Sequence, residues 1–289
     1  MDTYGIIDIG SNTLVLAVYE IQEHIPHQIH YESHPVHLID CIHDGHMGEE
    51  GIRAAEAVLH HFDNVLKEKN VRQYRGFITE PCRGIDNAGE MLQRFSHILP
   101  VMPLSGEQEA YYDWCGAALQ YPQISSGIAF DIGGGSTELI SFQNHKVLTA
   151  MSFPLGCVRL RHLPLNTERC EEEILKAREA CPSLNIASET VLGIGGTVRA
   201  VRLLCTQLYH TGHLLPRELI SETYRRLMSE DPPVLSAAQK VLAPSRIPVL
   251  LPGMHMLLEI MRIYKAEELV VSDTGIREGF LTEEFITAY

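Results

Sequence analysis

The chain has 289 residues, 45% of them apolar and 21% charged, the make-up of a folded globular protein long enough for two cores. Its 23 basic and 37 acidic side chains leave a net charge of −14, which repels nucleic acid and other long polyanions at a distance. No run of about 18 apolar residues and no basic leader are read, so neither a membrane partner nor a signal peptide is expected.

In chain order, YGIIDI, GSNT and LVLAVYE (4–20) read as strand, glycine turn, strand, and 28–42 as a further strand region. A helix follows over GEEGIRAAEAVLHHFDNVLKE, with Ile52, Ala55, Leu59, Phe62 and Leu66 on one face. RGFIT (75–79) is a short strand, EMLQRF a helix, and SGEQEAYYDWCGAALQ (105–120) another. The pattern then restarts with GIAFDI, GGGS and TELISFQ. Helices at CEEEILKAREA and TVRAVRLLCTQLY flank the strand TVLGI; a helix near MHMLLEIMRIYK, a strand ELVVSD and a helix EGFLTEEFI complete the chain. Two related α/β halves are expected, 1–120 and 121–278, with a C-terminal helix at about 279–289 placed to pack back on the first. Seven scattered cysteines (Cys41, Cys82, Cys115, Cys157, Cys170, Cys181, Cys205) form no C-x-x-C pair, which points to reduced thiols and a cytoplasmic protein.

The chemistry concentrates at glycine turns. In FDIGGGSTELI (130–140) a tight hairpin through Gly133, Gly134, Gly135 and Ser136 would bring Asp131 and Glu138 together. The glycines are expected to turn the backbone with positive φ, to let it approach a ligand without Cβ atoms in the way, and to form an anion-binding nest of N–H groups. Two acids beside such a nest make sense with a divalent cation between acids and phosphate. A lone glycine hairpin is more often a solvated turn, but Asp8, Gly10, Ser11, Asn12 and Thr13 repeat the pattern near the start, and that echo tips the balance. A third turn, GIGGTVRA (193–200), places Gly195, Gly196 and Thr197 where a strand opens into a helix, a second anion-binding geometry. It is neither G-x-G-x-x-G nor a Walker A sequence.

These motifs, with S-G-x-x-E-A (105–110), P-L-G-x-V-R-L (154–160) and S-D-x-G-x-R-E-G (272–279), resemble from end to end the exopolyphosphatase / guanosine pentaphosphate phosphohydrolase family in its short, two-domain form. The resemblance implies an α/β, actin-like ATPase fold of two ribonuclease-H-like domains with an interdomain cleft, and a homodimer. It implies Glu109 as the general base that activates water, Arg83 as the phosphate-contacting guanidinium of T-x-x-x-R-x-x-x-N (Thr79 to Asn87), and Asp131 and Glu138 as acids that hold Mg²⁺ or order the water. Asp8 is taken as a third metal-ligating acid; Arg159 is read equally as a phosphate contact or a packing residue. Hydrolysis of a terminal phosphoanhydride, from inorganic polyphosphate or guanosine pentaphosphate, needs little beyond an in-line water and charge neutralisation, and these residues supply both.

Three departures bear on substrate: His37 stands where the family carries Arg, Pro248 replaces an acid in RIPVLLPG (246–253), and the helical C-terminal domains of the long members do not follow Tyr289. Together with the charge, these favour short polyphosphates or a nucleotide polyphosphate over very long chains. A phosphate- or nucleotide-sensing regulator that has lost turnover, and a sugar or acetate kinase of the same fold superfamily, are the competing readings. The seven histidines from His24 to His46 could form metal pairs at His34-x-x-His37 and His43-x-x-His46, but solvated loop and strand histidines are the expectation.

Overall fold

The computed structural model describes residues 3–22, 25–80, 83–161 and 167–286; Cys82 and His24 lie outside them. Contacts divide the chain into two compact units, one of 1–105 with 280–289 and one of 106–279.

Unit 1 begins with a meander of β1 (Thr3–Ile9), β2 (Thr13–Gln22) and β3 (Ile25–Pro35), and a small ribbon of β4 (Ile42–His43) and β5 (His46–Met47) follows. Then come α1 (Glu49–Glu68), β6 (Gln73–Ile78), α2 (Ala88–Ser96) and β7 (Val101–Pro103). The sheet order is β3-β2-β1-β6-β7, with β1, β2 and β3 antiparallel and β6 and β7 parallel to β1. β2 is buried along Leu14–Tyr19 because it lies inside the sheet, whereas β3, at the edge, carries alternating exposed side chains. The apolar stripe of α1 (Ile52, Ala55, Leu59, Phe62, Leu66) joins Leu14, Leu16 and Val18 in one core. The strand expected over 28–42 stops at Pro35; His37, at φ +55°, turns the chain into a 3₁₀ turn at Leu38–Cys41. Phe280–Ile286 packs on this unit through Phe280 against Phe77 (centroids 5.3 Å apart for Tyr4 and Phe285, 4.9 Å for this pair) and Glu284 against Arg75 (2.7 Å).

Unit 2 opens with α3 (Gly106–Gln120) and repeats the meander as β8 (Gly127–Ile132), β9 (Thr137–Gln143) and β10 (Lys146–Phe153). Next are α4 (Cys157–Arg161), α5 (Thr167–Ala180), β11 (Thr190–Ile194), α6 (Gly195–Tyr209), β12 (Leu214–Pro216), α7 (Arg217–Met228), α8 (Pro232–Val241), α9 (Ile247–Tyr264), β13 (Glu268–Val271) and α10 (Ile276–Leu281). Its sheet runs β10-β9-β8-β11-β13-β12, again three antiparallel strands and then parallel ones. Only the last strand, β12, is added, antiparallel to β13. This shared order makes both units ribonuclease-H-like, and the chain an α/β protein of actin-like fold.

One expectation needs correcting. The division was read at 120/121, yet α3 belongs with unit 2, because Ala110, Trp114 and Ala117 pack on Ala129, Ile140, Phe142 and Ile194 of its sheet. The turn between Leu104 and Gly106 therefore carries the boundary. One helical stretch, Pro244–Tyr264, is long and apolar enough to cross a membrane by length and composition alone. Two thirds of its apolar window (67%) is buried inside the unit, which explains that character as core packing.

Candidate active site

Register explains the first acid pair. Asp131 and Glu138 are directly opposed across β8 and β9, so both side chains project from the same face, with Cβ atoms about 5 Å apart. Glu138 is 1% exposed and accepts a hydrogen bond from Ser152 Oγ at 2.7 Å, its cross-strand neighbour on β10. Asp131 is half-buried. In unit 1 the residue opposite Asp8 is Val15, so the echo carries one acid, not two.

The two turns are built alike. Gly10 N–H donates to the Thr13 carbonyl at 3.1 Å, and Gly133 N–H to the Ser136 carbonyl at 3.0 Å. A Cβ on either glycine would sit 3.2 Å from that same carbonyl oxygen. None of Gly133, Gly134 and Gly135 has a positive φ, contrary to expectation. Glycine is needed here for close approach: the loop before α4 presses on the turn, so a Cβ on Gly156 would lie 2.5 Å from the Gly134 carbonyl.

That approach orients the turn. The Gly133 carbonyl accepts from Cys157 N–H (2.9 Å), and the Gly134 carbonyl from Val158 N–H (2.9 Å) and Arg159 N–H (3.4 Å). In a trans peptide C=O and N–H point in opposite directions, so the N–H groups of Gly134 and Gly135 point away from α4. Unit 1 does the same with other partners. The Ser11 carbonyl accepts from Ile39 N–H, and the Asn12 carbonyl from Val36 and His37 N–H, all at 3.0 Å, turning the amides of Asn12 and Thr13 the opposite way. Ser11 is buried and its Oγ donates to Glu80 Oε2 at 3.1 Å.

The third turn abuts the acid pair. Ile194, at the end of β11, lies beside Asp131 in register, and Gly195 follows with φ +83°. A Cβ on Gly195 would overlap both carboxylate oxygens of Asp131, so only glycine fits. Thr197 is buried, its Oγ1 donating to the Ile132 carbonyl at 2.6 Å; it ties this turn to the hairpin. At Gly196 the space of a side chain is taken by the guanidinium of Arg246. Arg199, one turn into α6, donates to the Asp273 carbonyl at 3.0 Å; burial and the neighbouring Arg277 pull its guanidinium below the usual arginine value, against Glu278 and Asp131. Cations gathered at a helix N-terminus oppose the helix dipole, an arrangement that an anion would reconcile.

A family model described as the Ppx/GppA phosphatase family matches residues 17–287. The chain belongs to the Ppx/GppA phosphatase family. A relative from Haemophilus influenzae, named "Putative exopolyphosphatase", is 24% identical over 289 aligned residues, covering 95% of this chain and 89% of that protein. The crystal structure of the Aquifex aeolicus Ppx/GppA family member superimposes with TM-score 0.82 at 24% identity, covering 99% of this chain and 98% of its own. An exopolyphosphatase from Cytophaga hutchinsonii gives TM-score 0.82 at 22% identity, over 98% and 97%.

Within the Ppx/GppA pattern, Glu109 lies half-buried on the first turn of α3. The S-D-x-G-x-R-E-G segment clamps that helix. Ile276 N–H donates to Asp113 Oδ1 (3.0 Å), Thr274 Oγ1 to the Gly116 carbonyl (2.7 Å) and Asp273 N–H to Gln120 Oε1 (2.8 Å). Arg83 is half-buried, its N–H donating to the Glu80 carbonyl at 2.9 Å. Thr79 is buried, and Asn87 exchanges hydrogen bonds of 2.9 Å with both backbone groups of Met47, a structural use of that motif residue. Arg159 is exposed. His37 Nδ1 donates to Asn12 Oδ1 at 2.7 Å, so it braces the unit 1 turn. Pro248 sits in the first turn of α9, where its missing N–H leaves no helical bond unmade. Arg199, Arg246 and Arg277 escaped the sequence reading, although all three stand inside quoted stretches. Of the cysteines, Cys170 and Cys205 have thiols pushed up to about 11 by burial, and burial also raises Cys157 despite Thr197 and Arg246 beside it. None of these three is poised as a thiolate nucleophile.

Proposed function

We propose that this protein is a phosphohydrolase that releases terminal phosphate from inorganic polyphosphate or guanosine pentaphosphate by in-line attack of water. The observation that carries this reading is the opposed pair Asp131 and Glu138, placed beside outward-turned hairpin amides and the cation-lined start of α6. The exopolyphosphatase name of the Haemophilus influenzae relative supports the substrate class.

Two hard carboxylates opposed on one sheet face suit a small oxygen-seeking divalent cation, and Mg²⁺ is the assigned metal, held by Asp131 and Glu138. Asp8 is assigned the same kind of role in unit 1. Bound there, the cation would neutralise charge on the phosphoryl oxygens. The amides of Gly134 and Gly135, with Ser136, bind phosphoryl oxygens; Gly195 and Gly196 offer backbone donors to the same charge, and Thr197 holds their turn in place. In unit 1, Gly10, Ser11, Asn12 and Thr13 present the corresponding donors, and the Arg83 guanidinium pairs with phosphate. Glu109 accepts the proton of the attacking water, its helix fixed by the clamp at 272–276.

Phosphate release is to be measured from short polyphosphate, long polyphosphate and guanosine pentaphosphate with Mg²⁺, for wild type and Glu109→Ala. Release in the wild type and its loss by about a hundredfold or more in the variant is the expected result. Tight binding without release from either protein would instead identify a sensor, and ATP-dependent phosphorylation of an acceptor a kinase.

A further inference from the structure

The proposed hydrolysis makes no use of the histidines on 27–46, and the structure sorts them. His43 and His46 are opposed across β4 and β5, but each faces its own carboxylate, His46 bonding Asp86 (2.7 Å) and His43 lying 3.8 Å from Glu50, while His37 braces Asn12. His30 and His34 behave differently. With Glu32 they alternate along β3 and share one face of that edge strand. Their register partners are Val18, Leu16 and Leu14, all in the core under α1, so this face continues the buried one beyond the point where the core ends. From α1 comes His61, next to Phe62, a fully buried core residue.

Three imidazoles converge on the Glu32 carboxylate. His30 Nε2 lies 2.7 Å from Glu32 Oε1; His61 Nε2 lies 2.7 Å and His34 Nε2 3.4 Å from Oε2. One ligand atom each from Glu32, His34 and His61 lie within 4.8 Å of one another. The His34 ring is held edge-on by Phe62 (5.4 Å, 72°) and by His61 (5.3 Å). Inward charges on an edge strand can serve only to discourage strand pairing, and a single carboxylate would do for that. Here three imidazoles surround it, and each Nε2 offers a lone pair once its proton moves to Nδ1 or leaves.

We propose that Glu32, His34 and His61 form a binding site for a transition-metal ion of the Zn²⁺ class, separate from the proposed Mg²⁺ acids. Oε2 and the two Nε2 atoms are the ligands, and His30 is a positioning residue that fixes the carboxylate through Oε1. Bonds of about 2.0–2.1 Å draw three donors to about 3.3 Å apart, a short rotamer adjustment, with solvent completing the coordination. Imidazole ligands select zinc, copper or nickel over magnesium. The ion would bolt the edge strand β3 to α1, adding a cross-link at one edge of the unit 1 sheet.

The test uses the untagged full chain, stripped with chelator and titrated with Zn²⁺ by calorimetry, with the Co²⁺ ligand-field spectrum as second readout. One ion per chain is expected, with affinity about tenfold or more weaker in His61→Ala and in His34→Gln, and unchanged in His43→Ala. Zn²⁺ should raise the melting temperature of the wild type and not of His61→Ala, while Mg²⁺-supported phosphate release stays the same in both. Absence of saturable binding, or equal affinity in wild type, His61→Ala and His34→Gln, overturns the site.

Discussion

At the scale of single residues, the opposition of Asp131 and Glu138 sets two carboxylates side by side on one sheet face. Like charges directly opposite on a sheet face destabilise it, and the nearly full burial of Glu138 deprives it of water. Two outcomes are expected. Without divalent metal, Glu138→Gln should melt at a temperature equal to or above wild type, because one charge is removed and the amide can still meet Ser152. With Mg²⁺, wild type should gain stability and Glu138→Gln should not, and Glu138→Ala should lose phosphate release by about a hundredfold or more. A Glu138→Ala enzyme at the wild-type rate would remove the metal-ligand assignment. Gly195 makes a second case at this scale: Ala there meets both a positive φ and the Asp131 carboxylate. Gly195→Ala is expected to cost about 1–3 kcal/mol of stability and to displace Asp131, so thermal melting and activity should fall together.

At the scale of elements, the segment after β13 works as a clamp on α3. Glycine at 116, 275 and 279 lets the two backbones touch: a Cβ on Gly116 would overlap the Gly275 carbonyl, and one on Gly279 the Tyr112 carbonyl. Since the obstructing atoms are backbone, neither side can give way cheaply. Gly116→Ala should destabilise the protein by about 3 kcal/mol, visible as a lowered denaturant midpoint, and should impair Glu109 although it lies two turns away. This contact also shows where sequence reading stops. The repeated strand–turn–strand was legible because an Asp-Ile-Gly at each strand end marks it, and the amphipathic stripe of α1 because five apolar residues keep helical spacing. The placement of α3 was not legible: its partners Ala129, Ile140 and Ile194 come from three separate strands, and nothing local announces them. What presses on the glycines is hidden from the sequence for the same cause. Positive φ is a local property, whereas the pressure of Gly156 on Gly134 and of Arg246 on Gly196 arises between segments far apart in the chain. The grouping of Glu32 with His34 and His61 needs a strand and a helix together, so spacing along the sequence does not announce it.

At the scale of the whole molecule, the net charge of −14 must be overcome by any polyanionic substrate. The cations that favour phosphate, Arg199, Arg246 and Arg277, are gathered around one turn of unit 2, and their field is short-ranged against the overall repulsion. A short polyphosphate can sit within that local field, whereas a long one trails its remaining charges across an acidic surface. The capture rate, kcat/KM, for long polyphosphate should therefore rise as salt increases from low to physiological concentration, because a Debye length shrinking from about 30 Å to about 8 Å screens the distant acids first. For the shortest chains the same salt should lower kcat/KM or leave it level, since the arginine contacts are screened as well. The two substrates should thus diverge in sign at low salt and converge near physiological ionic strength. Steady-state rates at fixed Mg²⁺ across a salt series measure this directly. A capture rate for long chains that falls with salt would mean that a basic track outweighs the acidic surface, and the preference for short substrates would then have to be abandoned.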